Sequence, residues 1–198
     1  MQNFKISKKW IPDLPDHRDF KYKSTLKELP LKVDLRSKDS DIKNQGTLGS
    51  CTGNAIASLI EDELLQKIKI SPLFIYFQER KLEGSISSDS GATIRDGIKV
   101  CHKLGACAEN FYPYLIEAFK LEPSPLAYKN ALHQKIASYY RVDSLKSMLD
   151  CLASGHSVVM GFTVYESFLG DGVASSGIMT YPKLFERAEG GHAVLAVG

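Results

Sequence analysis

The apolar residues of this chain change their spacing once along its length, and that change limits the architecture more than any other feature. From Gly46 to about residue 135 they recur at helical intervals, and beyond that point they gather in short β-rich runs. Ala55, Ile56, Leu59, Ile60, Leu64 and Ile68 set out a first helix, which begins at or near Cys51 after a turn at Gly46 and Gly49. Ser71 as N-cap and Pro72 in the first position predict a second helix that stops at Gly84. A third is expected from about Ala92 to Leu104, with Gly105 as its stop signal. Strands are expected at Ile136–Val142, Ser157–Tyr165 and His192–Val197, with a short helix over Ser144–Ala153. Helices first and strands later predict an α+β fold: a helical lobe facing a sheet lobe, with any cleft between them.

Residues 1–32 form a lead segment, interrupted by Pro12, Pro15 and Pro30 and carrying the turn sequence Asp13-Leu14-Pro15-Asp16. Residues 33–198 are read as one domain. Twenty-five Lys and Arg against 23 Asp and Glu leave a net charge of +2, which gives no electrostatic reason to expect nucleic acid or an anionic membrane as partner. The longest apolar runs, Leu73–Phe77 and Ala193–Val197, are five residues each, against the roughly 20 a spanning helix needs. The basic run Lys5 to Lys9 is expected to be a solvated tail, with no apolar stretch after it to make a secretory signal. Cys51, Cys101, Cys107 and Cys151 are then expected to be reduced thiols in the cytoplasm. They contain no C-x-x-C pair, so neither metal nor cofactor is expected.

Cys51 at a helix start is the sharpest chemical signal. Unpaired backbone N–H groups and the helix dipole stabilise a thiolate there, and the thiolate is the nucleophile. An inert buried cysteine is the competing reading. Gln45 shifts the balance, because an amide placed across the glycine turn can donate to an oxyanion alongside the backbone N–H of the cysteine. His17, His102, His133 and His156 are each expected to be surface or satisfied residues, with His156 the best of the four as a base because it sits just before a strand. The remaining cysteines and the cluster Phe74, Tyr76 and Phe77 are expected to be structural.

Asn44-Gln45-Gly46-Thr47-Leu48-Gly49-Ser50-Cys51 resembles the nucleophile motif Q-G-x-C-G-S-C-W of the papain-like (C1) cysteine peptidases, with Gln45, Gly46, Gly49, Ser50 and Cys51 in register. Gly191-His192-Ala193-Val194-Leu195-Ala196-Val197-Gly198, about 140 residues later, resembles the histidine strand of that family. Asp89-Ser90-Gly91-Ala92 and Gly105-Ala106-Cys107 through Tyr112-Pro113-Tyr114 resemble further landmarks. The lead, with Trp10-Ile11-Pro12-Asp13-Leu14-Pro15-Asp16, looks like that of bacterial and archaeal members.

The resemblance implies a two-lobe fold, with the nucleophile on the helical lobe and the histidine on an antiparallel sheet lobe. Cys51 would form an acyl-enzyme, His192 would act as general base and acid, and Gln45 would complete the oxyanion hole. Gly91 would pair with an extended peptide or protein substrate, and Thr93 would line a pocket near the nucleophile. Leu48 stands where many relatives have a disulfide cysteine, and Thr52 replaces the usual tryptophan. In the family an asparagine downstream of the histidine orients it. Only Ala193–Gly198 follow His192 here, and none has a hydrogen-bonding side chain. The resemblance therefore implies a domain cut short at its C-terminus, weakly active and open to self-association through an unpaired sheet edge. The leading function is peptide-bond hydrolysis. A catalytically weak or inactive peptide-binding module is the alternative, and a transamidase or ligase would use the same dyad.

Overall fold

Ser71 carries out the capping role expected of it: its hydroxyl accepts a hydrogen bond from the Phe74 N–H at 3.1 Å, and Pro72 opens the helix behind it. The structure, a computed structural model, describes residues 9–38, 40–64 and 68–198. In chain order its main elements are β1 (Trp10–Ile11), α1 (Cys51–Glu63), α2 (Pro72–Leu82), β2 (Ala92–Thr93), α3 (Ile94–Lys103), α4 (Pro125–Ala131), α5 (Leu145–Ala153), β3 (Val158–Tyr165), α6 (Asp171–Ser176) and β4 (Ala188–Ala196). Helices dominate the first part and the long strands the last, so the α+β expectation holds.

Helix α1 ends earlier than its apolar spacing predicts. Leu64 is already extended (ψ 133°), and Ile68 lies outside the helix. The chain is turned back by Glu61, whose carboxylate accepts from the Ile70 N–H at 2.6 Å and pairs with Lys43 at 2.5 Å. Ile68 still packs partly buried against the cluster built on Ile56, Ala57, Ile60 and Ile75. Helix α3 starts at Ile94 rather than Ala92, because Ala92 and Thr93 pair in parallel with Trp10 and Ile11, and the Thr93 hydroxyl caps the Asp96 N–H at 3.2 Å.

Ile136–Val142 is not a strand, contrary to its Tyr-rich and β-branched composition. Its backbone groups find other partners: Ile136 donates to the Cys101 carbonyl at the end of α3, and Arg141 exchanges bonds with Phe20 and Tyr22 of the lead through a single bridge to Lys21. β propensity yields here because no neighbouring strand among the described residues offers a ladder.

Strands β3 and β4 pair antiparallel from Val158↔Ala196 to Tyr165↔Ala188, which sets His192 opposite Phe162. Strand β4 begins at Ala188, ahead of the expected His192. The described part of the lead is fastened to both lobes. Arg95 on α3 pairs with Asp19 at 2.6 Å and donates to the Leu14 carbonyl, while its own N–H reaches Asp13. Asp150 on α5 accepts from the Tyr22 hydroxyl at 2.7 Å and the Thr25 and Leu26 N–H groups at 3.1 and 2.8 Å. Leu35 donates to Val197 beyond the end of β4.

Beneath the first turn of α1, the Thr52 hydroxyl donates to Glu79 of α2 at 2.8 Å, and both side chains are fully buried. Burial pushes the Glu79 carboxyl up to about 8, helped by the nearby Glu83 and Asp96. A carboxyl whose pKa is raised on folding adds stability that is complete below its unfolded value near 4.5 and is lost as pH rises toward 8. Glu79→Gln keeps an oxygen for Thr52 and cannot ionise. The wild-type chain should therefore lose stability between about pH 5 and 8 relative to Glu79→Gln, read as a widening gap in denaturant midpoints.

Candidate active site

The loop before α1 is built to hold a cysteine at a helix start. The Asn44 side chain accepts from the Gly46 N–H at 2.9 Å, and the Gly49 N–H donates to the Asp89 carboxylate at 2.9 Å. Ser50 precedes the helix, with its hydroxyl 2.5 Å from that of Tyr114, and Asn54 one turn on donates to the Ser50 carbonyl at 2.9 Å. Cys51 then occupies the first position of α1.

The helical and sheet lobes meet at this residue. Helix α1 packs on β4, and the Cys51 side chain lies against Ala193, the residue after His192, with Trp10, Ile94 and Val159 around it. Cys51 is 1% exposed. Burial pushes its thiol up from the ordinary value and the buried carboxyl Glu79 adds to this, while backbone hydrogen bonds from Ala193, Lys9 and Thr52 oppose it. His192 is driven the other way, lowered by burial alone. Its ring stands edge-on to Phe162 with centroids 5.9 Å apart, and its Nδ1 is buried with no hydrogen-bond partner among the described residues. The closed site thus favours a neutral thiol and a neutral imidazole over a thiolate–imidazolium pair.

Gln45 lies in the same loop, and its amide donates to the Leu48 carbonyl at 2.9 Å. Gly91 has φ +77°, and a Cβ there would come 1.7 Å from the Lys9 carbonyl oxygen, so only glycine lets another backbone approach this closely. Thr93 follows two residues on: its hydroxyl caps α3, its N–H donates to Glu83 at 3.1 Å, and its backbone pairs with Ile11. The other histidines lie apart from Cys51. His156 contacts Glu63 at 3.1 Å, His102 contacts the Ile136 carbonyl at 2.7 Å, and His17 and His133 are exposed. Cys101, Cys107 and Cys151 are free and buried, and Phe74, Tyr76 and Phe77 are core.

Sequence reasoning missed what lies over the cysteine. Lys9 is no solvated tail, although Lys5 and Lys8 of the same run lie outside the described residues. It bridges to Gly191 on β4, and its ammonium is held by Asp89, at 2.7 Å from the carboxylate and 2.5 Å from the carbonyl. Trp10 follows it between the lobes, its ring against Gly161 of β3 so closely that a Cβ there would come within 2.1 Å. A tryptophan followed by Ile-Pro in a polar segment was the available signal, because a large apolar side chain among polar neighbours must find a surface to cover.

Residues 29–198 match the family model described as "Papain family cysteine protease". An uncharacterized peptidase C1-like protein of Acanthamoeba polyphaga mimivirus is 43% identical over 169 residues, covering 78% of this chain and 54% of that protein. The chain thus spans about half the length of this curated relative. Among solved structures, xylellain, a cysteine protease from Xylella fastidiosa, superposes with a TM-score of 0.85 at 38% identity, covering 98% of this chain and 80% of that one. Digestive procathepsin L 3 of Tenebrio molitor larval midgut shares the fold at 20% identity, with a TM-score of 0.61 over 74% of this chain and 48% of that one.

Covering by Trp10 should govern access to the thiol. In Trp10→Ala, alkylation of Cys51 by iodoacetamide at pH 8 should accelerate by about tenfold or more, as expected when a local opening step is made cheaper. Peptide mass mapping of the alkylated cysteine checks it.

Proposed function

The chain belongs to the papain family of cysteine proteases, and from that premise we propose that it hydrolyses peptide bonds through Cys51, with His192 as base and acid. The observation that carries this reading is the packing of Cys51, at the start of α1, on Ala193 of the strand that bears His192. With the cleft open, His192 takes the Cys51 proton, and the thiolate attacks the scissile carbonyl carbon. The carbonyl electrons move to oxygen, where the Cys51 N–H and the Gln45 amide donate to the oxyanion. As the oxyanion collapses, the C–N bond breaks and His192 protonates the departing amine. His192 then takes a proton from water, the resulting hydroxide attacks the thioester, and the acid product leaves with the thiol restored. Four free, buried thiols support a reducing compartment for this chemistry.

A covered nucleophile, a raised thiol pKa and an unpartnered His192 Nδ1 favour a low resting activity. They also support a second reading, a peptide-binding module that turns over weakly or not at all. Two variants decide between them. Cys51→Ala should abolish hydrolysis of a fluorogenic peptide while leaving the circular dichroism spectrum unchanged, and residual turnover would remove Cys51 from its role. Gln45→Ala should lower kcat by about 10²–10³ with little change in KM, because an oxyanion donor acts on the transition state. A chain with no turnover and no alkylation at Cys51, even with Trp10→Ala, would establish the binding module instead.

A further inference from the structure

Resting on the peptidase reading, we propose that Asp89 is a specificity-determining residue: it forms an acidic subsite beside the nucleophile that takes a lysine or arginine side chain of the substrate, and Lys9 fills it in the closed chain.

Three observations meet at this residue. The first is placement. Asp89 accepts from the N–H of Gly49, two residues before Cys51, and it lies two residues before Gly91, on whose backbone Lys9 sits. The second is rigidity. The Tyr76 hydroxyl donates to Asp89 Oδ1 at 2.5 Å and to no freely moving group, since Tyr76 is itself fully buried. Arg80 donates to the Ile86 and Ser88 carbonyls, which fixes the loop leading into Asp89. Burial pushes the Asp89 carboxyl up, but hydrogen bonds from Lys9, Tyr76 and Gly49 outweigh it and hold the group below the usual carboxylate range. The third is occupancy. Asp89 Oδ2 and the Asp89 carbonyl oxygen both accept from the Lys9 ammonium, at 2.7 and 2.5 Å.

Lys9 is bound as a peptide residue would be. Its backbone bridges to Gly191, the residue before His192, its carbonyl abuts Gly91, and its side chain runs into the acidic cradle. The bridge to Gly191 on one side and the contact with Gly91 on the other place this residue across the cleft beside Cys51, where a substrate residue next to the reacting carbonyl would lie. The same three points of contact are available to a substrate once the lead segment moves. A neutral side chain in that position leaves the Asp89 carboxylate without its cationic partner, and selectivity follows from that difference. The Lys9–Asp89 pair is partly solvated, with side chains 40% and 20% exposed, so the preference should be moderate.

The test uses the full chain and two peptidyl acyloxymethyl ketones that differ only in the side chain beside the ketone, lysine in one and norleucine in the other. Attack by the Cys51 thiolate forms the C–S bond and expels the carboxylate, and the labelled cysteine is identified by mass. Wild type should be labelled faster by the lysine probe, on the order of fivefold, the size that a half-exposed ion pair supports. Asp89→Asn, which keeps an oxygen for Tyr76 and Gly49, should bring the ratio of the two rates close to one. Asp89→Glu should restore part of it. Lys9→Met tests the idea without touching Asp89: emptying the cradle should raise the lysine-to-norleucine ratio above that of wild type. An equal rate for both probes in wild type and Lys9→Met, or a ratio unchanged by Asp89→Asn, overturns the subsite. Failure of both probes to label Cys51 in every variant has a different signature and overturns the nucleophile assignment on which the subsite depends.

Discussion

The contact between Cys51 and Ala193 is the constraint around which the molecule is arranged. It joins the start of α1 to the middle of β4 and so docks the helical part of the chain on the β3–β4 pair. Small residues make this approach close. Ala55 and Ala193 line the contact, and Gly161 on β3 leaves room for the Trp10 ring beside it. A larger side chain at any of these positions would separate the lobes or expel the lead, because packed interiors have no slack to absorb it.

The same closeness has an electrostatic consequence. Excluding water from Cys51 and His192 penalises the charged form of each, so the thiol pKa rises and the imidazole pKa falls. Hydrolysis through a thiolate needs the opposite order. The covering segment Lys9–Ile11 helps exclude water from Cys51, and that burial outweighs the opposing Lys9 amide and favours the neutral thiol. Its hold is distributed over a backbone pairing with β2, the ring of Trp10 against β3 and the ammonium of Lys9 on Asp89, with further anchors at Arg95 and Asp150. No single tie is strong in water, but together they fix one path for the lead across the cleft.

Much of the local structure was legible before folding is considered. The cap at Ser71, the turn at Gly46 and the stops at Gly84 and Gly105 are set by the conformations and hydrogen bonds of single residues, and each appears where its residue type places it. The segments around Cys51 and His192 were legible through their resemblance to two short motifs of the papain-like peptidases, whose residues are near neighbours in sequence. Ile136–Val142 shows the limit. Its composition favours a strand, but a strand exists only where a second one lies alongside, and that is a long-range matter.

Sequence alone determined the helix-to-strand order and the starts of α1 and α2, because those follow from interactions within one turn, and its resemblance to two family motifs marked the segments that carry the cysteine and the histidine. Tertiary structure alone decided that Ala193 is the residue on the sulfur, that Thr93 caps a helix, and that Lys9 and Trp10 cover the cysteine with Asp89 as their anchor. Lys9 and Asp89 are 80 residues apart in the chain. Nothing in the spacing of two charges that distant encodes their pairing. It arises only when the lobes close and leave a groove of one width, lined by glycines, for the lead to enter.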